Sequence, residues 1–376
     1  FRPLHLRSIS IDPSTNNYRL LLDKGDIKEL KSKNIEDTAK KLLEYFKIGL
    51  RLPNSMFWVN LRPDSDSNII DPNLENTDLG KVLLAADVQL KKDVASFTSP
   101  DTKEGKEYWN KLYSKAESLY GADEDIEIPT VTRPWIVPGE IIIKQTPTGA
   151  YVYKAVMKVC LEQDWLKTND VISEGNQSVN QDIKARELNE YSSQLIREIV
   201  IPKLTRDVNS SKRYNELRQV FYSLVLAQWY KSRIKSGTEP VDTKDLTGLM
   251  SKQHWSKQEY YQAYRKSFQQ GEYNKEEQVR TQDGLTIRSY FSGGFSGVVS
   301  PSAMIVLDGG SIFGAEQDIG VTVDPKGQMN VNLKPQSDEF NKNKSDINEG
   351  TNRLTIKLRE SGNAVVKFLN NLTRFD

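Results

Sequence analysis

A long pair of apolar stripes between residues 182 and 235 constrains the fold of this chain more than any other sequence feature. Apolar side chains recur there at steps of three and four, the period of helices with one buried face. The stripes consist of Leu188, Tyr191, Leu195 and Ile199, followed by Tyr214, Leu217, Phe221 and Leu224. We predict packed helices at the centre of the core. Pro202 lacks a backbone N–H group, so it predicts a kink or a division in the first of them.

The length of the chain indicates more than one structural unit. Its 376 residues exceed the ~250–300 residues at which a single hydrophobic core usually stops growing. Four further stretches have helical spacing. Asn34 and Thr77 are the predicted N-caps of the first two, Thr102 is the predicted start of the third, and Ser256 with Glu259 forms a predicted capping box at the fourth. We therefore predict an α+β fold. Residues 1–277 form its α+β body, and residues 278–376 form a β-rich hairpin extension with a polar, mobile segment at 336–350.

Most strands are predicted as hairpins, because runs of β-forming residues flank typical turn residues. The paired runs are residues 4–11 with 18–22, 140–145 with 150–161, 279–282 with 285–291, 319–323 with 329–333, and 353–359 with 364–369. Residues 123–138 contain three prolines and are predicted to be irregular. Hairpin strands have edges that pair readily with other chains. Self-association through β-strand edges is therefore the predicted mode of partner binding.

Charge and hydropathy limit the classes of partner. Lys and Arg total 52 against 51 for Asp and Glu, so no basic field favours nucleic acid. No apolar run reaches the ~18 residues that a transmembrane helix needs. The sole cysteine, Cys160, excludes an internal disulfide. The chain begins at Phe1, for which a cleaved signal peptide and a longer precursor both stay open, and the envelope or exterior is weakly favoured over the cytoplasm.

Residues typical of catalytic sites are scarce. Only His5 and His254 could serve as histidine bases, and only Cys160 as a thiol nucleophile. Cys160 lies within a predicted strand, where a small buried side chain is the ordinary role. The glycine-rich stretch around Ser296 departs from the serine-hydrolase motif at Val298. Phosphate-binding glycine motifs and a zinc-ligand cluster are likewise missing from the sequence, so we expect structural roles for the histidines and the cysteine.

An acidic stretch supplies the most specific chemical signal. Its oxygen-bearing side chains stand at positions one, three, five and twelve of a calcium loop, namely Asp64, Asp66, Asn68 and Glu75. However, Ile69 occupies the position that needs glycine, and Pro72 occupies the ninth position. The alternative is a solvated turn that leads to a helix cap. The hypothesis to be tested is a calcium site at these four residues; no other cofactor is predicted.

Several segments resemble a family of bacterial proteins. The segments that carry the resemblance are residues 57–64, 77–87, 133–138, 197–205 and 217–224. The resemblance extends over roughly residues 1–290. It implies that this part of the chain is one evolutionary unit and that the β-rich tail is more variable. It brings no activity, cofactor or catalytic residue.

Three functional hypotheses follow from these features. The first is a non-enzymatic structural or assembly protein of the bacterial envelope or exterior, which works through protein–protein contacts. The second is a carboxylate-based hydrolase that acts on glycans, for which two acids ~5–10 Å apart and an aromatic platform are required. The third is a calcium- or ligand-binding module. An exposed strand edge would favour the first hypothesis, and an acid-lined pocket would favour the second.

Overall fold

The predicted central helix forms, and most of its side chains described are buried. It spans Asn215–Gly237, and its buried residues include the predicted members Leu217, Phe221 and Leu224. Its neighbours Val225, Leu226 and Ala227 are buried as well. A helix that is apolar all round belongs inside a protein. The prediction that this stretch organises the core is confirmed, and the core extends around more of the helix than one stripe.

The computed structural model describes most of the chain in segments. They are residues 1–12, 17–29, 31–52, 58–59, 77–121, 127–146, 149–168, 183–237, 275–280, 286–291, 293–296, 304–308, 318–324 and 326–332. The helices in these segments are α1 (Ser32–Arg51), α2 (Asp78–Thr98), α3 (Lys103–Tyr120), α4 (Glu162–Thr168), α5 (Ile183–Leu195), α6 (Ile201–Ser210) and α7 (Asn215–Gly237). A π-helical turn, Ile196–Val200, joins α5 to α6, and a 3-10 turn, Lys212–Tyr214, precedes α7.

The strands form two sheets, which together with the helices confirm the α+β class. In chain order they are β1 (His5–Asp12), β2 (Asn17–Asp23), β3 (Trp58–Val59), β4 (Glu127–Thr132), β5 (Pro134–Thr146), β6 (Gly149–Leu161), β7 (Lys275–Arg280), β8 (Thr286–Phe291), β9 (Gly294–Ser296), β10 (Met304–Asp308), β11 (Asp318–Val323) and β12 (Met329–Asn332). The larger sheet has the order β12-β11-β2-β1-β6-β5-β9-β3, with β10 also paired to β5. The smaller sheet is β4-β8-β7.

One face of the larger sheet contributes to the core. Ile9, Leu20 and Val321 are aligned across three adjacent strands and are buried. Helices α1 and α7 pack on this side, where α7 contacts β1 and β6. Successive residues of a strand point to opposite faces. The next residues along the same strands therefore face away from the helices.

Pro202 perturbs its helix without dividing it sharply. The π-helical turn immediately precedes α6, and the Ile201 N–H bonds to the Ile196 carbonyl five residues earlier. A proline in a helix lacks an N–H and crowds the carbonyl four residues before it. The wider turn accommodates that defect, since it shifts the hydrogen-bond register just before the proline. The predicted kink thus takes the form of a π-bulge.

Two local predictions are wrong. Helix α1 begins at Ser32, before the predicted cap Asn34, and its N-cap Lys31 makes no side-chain capping bond. Thr77, in contrast, accepts a hydrogen bond from Gly80 as predicted. Thr102, the predicted start of the next helix, caps it and accepts from Gly105. The helix predicted from Ser256 lies outside the described segments. Residues 127–132 and 134–138, predicted to be irregular, belong to β4 and β5. Pairing with neighbouring strands of the sheets stabilises them despite their prolines, since β4 lies parallel to β8 and β5 antiparallel to β6.

Four of the five predicted hairpins are confirmed. The pairs β1–β2, β5–β6, β7–β8 and β11–β12 are antiparallel; residues 353–369 lie outside the described segments. The domain division after residue 277 stays a prediction, and strands from both sides of it share the larger sheet, where β11 pairs with β2 and β10 with β5. In the described part of the chain, no helix has the length and apolarity to cross a bilayer.

Candidate functional site

Among the described strands, none pairs with a long part of one edge of β6. Its partner β1 pairs with it only from Gly149 to Tyr151, and the two strands then separate. Beyond Tyr151, side chains of α6 form hydrogen bonds with the backbone of β6 instead. Asn209 of α6 donates to the Met157 carbonyl at 2.7 Å and accepts from the Met157 N–H at 3.0 Å. Thr205 accepts from the Val159 N–H at 3.1 Å.

Arg7 fills the point where β1 and β6 diverge. Its guanidinium donates to the carbonyls of Val152 and Tyr153 at 2.9 and 3.0 Å. Ala155, two residues beyond Tyr153 on β6, is hydrogen-bonded through its backbone to Tyr222 of α7. The free edge of β6 is therefore satisfied by side chains at alternating residues. Buried backbone groups need such partners, because an unpaired one costs about as much as a lost hydrogen bond.

Arg7 and Tyr222 also belong to a buried polar cluster with Asp23 and His5. Arg7 donates to Asp23 Oδ2 at 2.7 Å, and the Gly25 N–H donates to Asp23 Oδ1 at 2.7 Å. His5 Nε2 lies 3.7 Å from Asp23 Oδ2, and its ring is 4.3 Å from that of Tyr222. His5 Nδ1 bonds to the Pro3 carbonyl at 2.8 Å. Arg7 also lies against the rings of Tyr222 and Tyr151, at 5.7 and 5.8 Å from their centroids.

Electrostatics keep His5 neutral and Asp23 ionised. Burial lowers the pKa of His5 to about 4, an effect that Asp23 opposes only in part. Burial raises the pKa of Asp23, but His5, the Gly25 N–H and Arg7 together hold that pKa below its ordinary value. Only 4% of His5 is exposed. A histidine–aspartate pair can serve as a general base, yet a base must reach its substrate. The cluster is built to connect the strands with α7.

Helix α2 carries two more buried acids. Asp93 accepts hydrogen bonds from Tyr214 at 2.8 Å and from Arg213 at 2.7 Å, which fixes the start of α7. Asp87 lies 2.8 Å from Lys91 one turn along the helix. Burial raises the pKa of Asp87, and Lys91 opposes that rise. Both acids are almost fully enclosed, so this pair offers no open cleft of the kind a glycan hydrolase requires.

Strand β10 presents the opposite kind of edge. It pairs in parallel with β5 on one side, and among the described strands none pairs with its other side. Three consecutive apolar residues are exposed, Ile305 by 51%, Val306 by 41% and Leu307 by 42%. Parallel pairing aligns Val306 with Ile143, which is fully buried, whereas Ile305 and Leu307 face the other way. Both faces of this strand are therefore apolar and accessible.

The sequence-predicted site residues fall into two groups. The calcium-loop residues Asp64, Asp66, Asn68 and Glu75, and also His254, lie outside the described segments. The calcium site therefore stays a prediction; within the segments described, no group of three or more potential metal ligands occurs. Cys160 lies on β6, and burial raises the pKa of its thiol to about 12. Such a thiol stays protonated, which opposes a nucleophilic role.

Sequence reasoning missed both strand edges. Met304–Asp308 is a short apolar run that could have been assigned as a strand, but only the fold shows that it is exposed. The roles of Arg7, Thr205 and Asn209 have no sequence signal, since their partners are backbone groups of a distant strand. No protein-family model, curated protein or solved structure matches this chain. The interpretation of the two edges therefore rests on their own geometry.

Proposed function

We propose that this chain is a non-enzymatic structural or assembly protein that associates with a second copy of itself through the free edge of β10. The observation that carries the proposal is the exposure of Ile305, Val306 and Leu307 on a strand with one unpaired side among the described strands. An edge strand presents a row of unsatisfied N–H and C=O groups, which form a template for another strand.

The composition of β10 supports pairing with another strand. Protein edges that must stay unpaired are usually blunted by lysine, proline or a bulge. From Met304 to Leu307 the strand contains none of these residues, and its single charge is at Asp308. A partner strand would satisfy the backbone edge and also cover the three apolar side chains. Both contributions favour association, the second through removal of apolar surface from water.

A second copy of the chain is a suitable occupant. The formal net charge is +1, so two copies repel each other little. An antiparallel pair of β10 strands related by a two-fold axis at Val306 would place Ile305 opposite Leu307. Each copy would then present the same surface to the other, as in closed symmetric dimers. The charged residue Asp308 would lie at the ends of the pair, away from its centre.

Light scattering coupled to size-exclusion chromatography tests the proposal. The wild-type chain is expected to show a mass that rises with concentration above the 42.9 kDa of one copy. Val306→Lys should return the mass to one copy, because pairing would bury the introduced charge. Ile183→Lys is the matched control: Ile183 is 76% exposed at the start of α5, and its substitution should leave the mass unchanged.

Two outcomes would overturn the proposal. One is a wild-type chain that remains a single copy at the highest concentration reached. The other is an assembly that Val306→Lys leaves intact, which would assign the contact to another surface. Negative-stain images of the wild-type chain distinguish a closed dimer from an extended assembly, and a closed dimer is expected from the two-fold pairing.

A further inference from the structure

The face of the larger sheet opposite α1 and α7 contains a polar groove of about 430 Å³. The groove lies across β1, β2, β11 and β12. Two aligned rows of residues form it, one being Ser10, Arg19, Thr322 and Asn330, and the other Ser8, Leu21, Gly320 and Asn332. The row between them consists of Ile9, Leu20, Val321 and Val331 and points toward the helices.

Differences in side-chain size produce the concavity. Ser8, Ser10 and Gly320 are small, and Ser8 and Gly320 are buried at its floor. The longer side chains of Arg19 and Asn330 are exposed around it. On a flat sheet, a patch of small residues between larger ones leaves a depression, because neighbouring side chains stand roughly parallel to one another. Side-chain size and strand register together therefore fix the shape of the groove.

The side chains of the groove have a defined chemistry. Arg19 makes no ion pair or hydrogen bond within the described part of the chain, and the groove residues include no carboxylate. A guanidinium of this kind is suited to a planar carboxylate or to a phosphate. Serine, threonine and asparagine side chains can both donate and accept, which suits hydroxyl groups. Leu21 forms a small apolar cluster with Tyr151 beside this polar set.

We infer that this groove binds a small hydroxylated organic anion, such as a sugar acid or a sugar phosphate. Arg19 pairs with the charged group, and Ser10, Thr322 and Asn330 on the same row bond to hydroxyls. The volume is within the range of small-molecule sites. A cation is disfavoured because the one charged group is positive. Thr322 Oγ1 already donates to the Asn330 carbonyl at 3.4 Å, but its oxygen can still accept a hydrogen bond. A wholly apolar ligand is disfavoured because it would cover the Arg19 guanidinium without giving it a partner.

The inference is independent of the proposed assembly role. The groove uses β1, β2, β11 and β12, whereas the proposed contact uses β10, which pairs with β5 on the other side of β6. Val306→Lys should therefore abolish self-association and leave ligand binding unchanged. A failure of one proposal does not affect the other, and the two can be judged separately.

Calorimetric titration of the full chain with D-glucuronate, D-glucose 6-phosphate and D-glucose provides the test. At least one anion should bind with a dissociation constant of about 1 mM or tighter, and the neutral sugar should bind at least about tenfold more weakly. The stronger of the two anions identifies the carboxylate or the phosphate as the preferred group. Arg19→Gln should weaken the anion about tenfold, while Arg19→Lys should restore part of the loss.

Arg206→Gln is the matched control, since it removes the same charge from an exposed position of α6. It should leave binding unchanged. The inference is overturned if neither anion binds, or if glucose binds as tightly as both anions. It is also overturned if Arg19→Gln and Arg206→Gln have equal effects. Circular dichroism of the Arg19 variants confirms that a loss of binding does not arise from unfolding.

Discussion

Strands β6 and β10 each have a stretch of edge with which no other described strand pairs, and the two edges differ in what surrounds them. Along β6, the side chains of Arg7, Thr205 and Asn209 bond to the free backbone groups. Along β10, the apolar side chains of Ile305 and Val306 remain exposed. In the described fold, side-chain hydrogen bonds therefore satisfy the edge of β6, called here the closed edge, whereas the edge of β10 is called the open edge.

The two edges should affect different properties: the β6 edge affects the stability of the fold, and the β10 edge affects association between copies. At β6, buried polar partners are part of the domain itself, and their loss should destabilise it. At β10, exposed apolar groups contribute little to the stability of one copy and can be covered by a second. Substitutions at the two edges should consequently affect different measurements. Those near β6 should change the free energy of unfolding, and those on β10 should change the oligomeric state.

The largest expected loss of stability comes from a substitution in α7, the helix that lies over β1 and β6. Phe221→Ala in α7 removes a side chain that is 1% exposed and should cost about 3–5 kcal/mol. Urea unfolding followed by circular dichroism measures this loss. Phe1→Ala is a matched control, because Phe1 is 37% exposed. An unchanged midpoint for Phe221→Ala would mean that α7 is not the support on which the closed edge depends.

The unfolding free energy should depend on pH, because buried His5 belongs to the polar cluster beside the closed edge. The pKa of His5 falls from 6.5 to about 4 on folding, so between these values the unfolded chain binds the extra proton. Stability contributed by neutral His5 is therefore present above pH ~6.5 and is lost as the pH falls to ~4, by about 3 kcal/mol in total. The lowered pKa of Asp23 adds a further loss at lower pH.

His5→Asn is the control for this pH effect. Asparagine can keep a hydrogen bond to the Pro3 carbonyl, but it does not titrate. Unfolding free energies measured at pH 7 and at pH 4.5 should differ more for the wild-type chain than for the variant. Equal pH dependence in both would contradict the assignment, and it would imply that other groups cause the acid sensitivity.

Local sequence patterns predicted the elements that depend only on residues close together in the chain. The stripe around Phe221 predicts α7 because helical period and burial coincide, and the turn at Asp324 predicts the β11–β12 pair because its residues favour a tight turn. The π-bulge before Pro202 is also a local consequence, although its form was not predictable. Such features depend only on residues that are neighbours in the sequence.

Long-range pairing was not predictable from the sequence. The parallel contacts of β4 with β8 and of β5 with β10 join residues far apart in the chain. Proline-containing residues 134–138 became a strand because β6 lies beside them. The groove around Arg19 depends on the register of four strands, and a shift of one residue would turn its side chains toward the core. Single-sequence patterns do not specify such registers.

Asn209 provides a direct test of the closed edge. Asn209→Ala removes both bonds to Met157 and leaves its backbone N–H and C=O without partners under α6, which should cost about 1–3 kcal/mol. Ser210→Ala on the same helix removes an exposed hydroxyl and should change stability by less than about 0.5 kcal/mol. Equal effects of the two substitutions would show that Asn209 does not stabilise the β6 edge.

The smallest expected effect on folding belongs to the open edge. Val306→Lys, measured at a concentration where the chain is a single copy, should change the unfolding free energy by less than about 0.5 kcal/mol, although it abolishes self-association. A lysine at this position keeps its charge in water, because 41% of Val306 is exposed. A loss above about 1 kcal/mol in the single copy would place Val306 inside the folding core. The edge of β10 would then be covered within one chain, as the edge of β6 is, and the contrast between the two strands would fail.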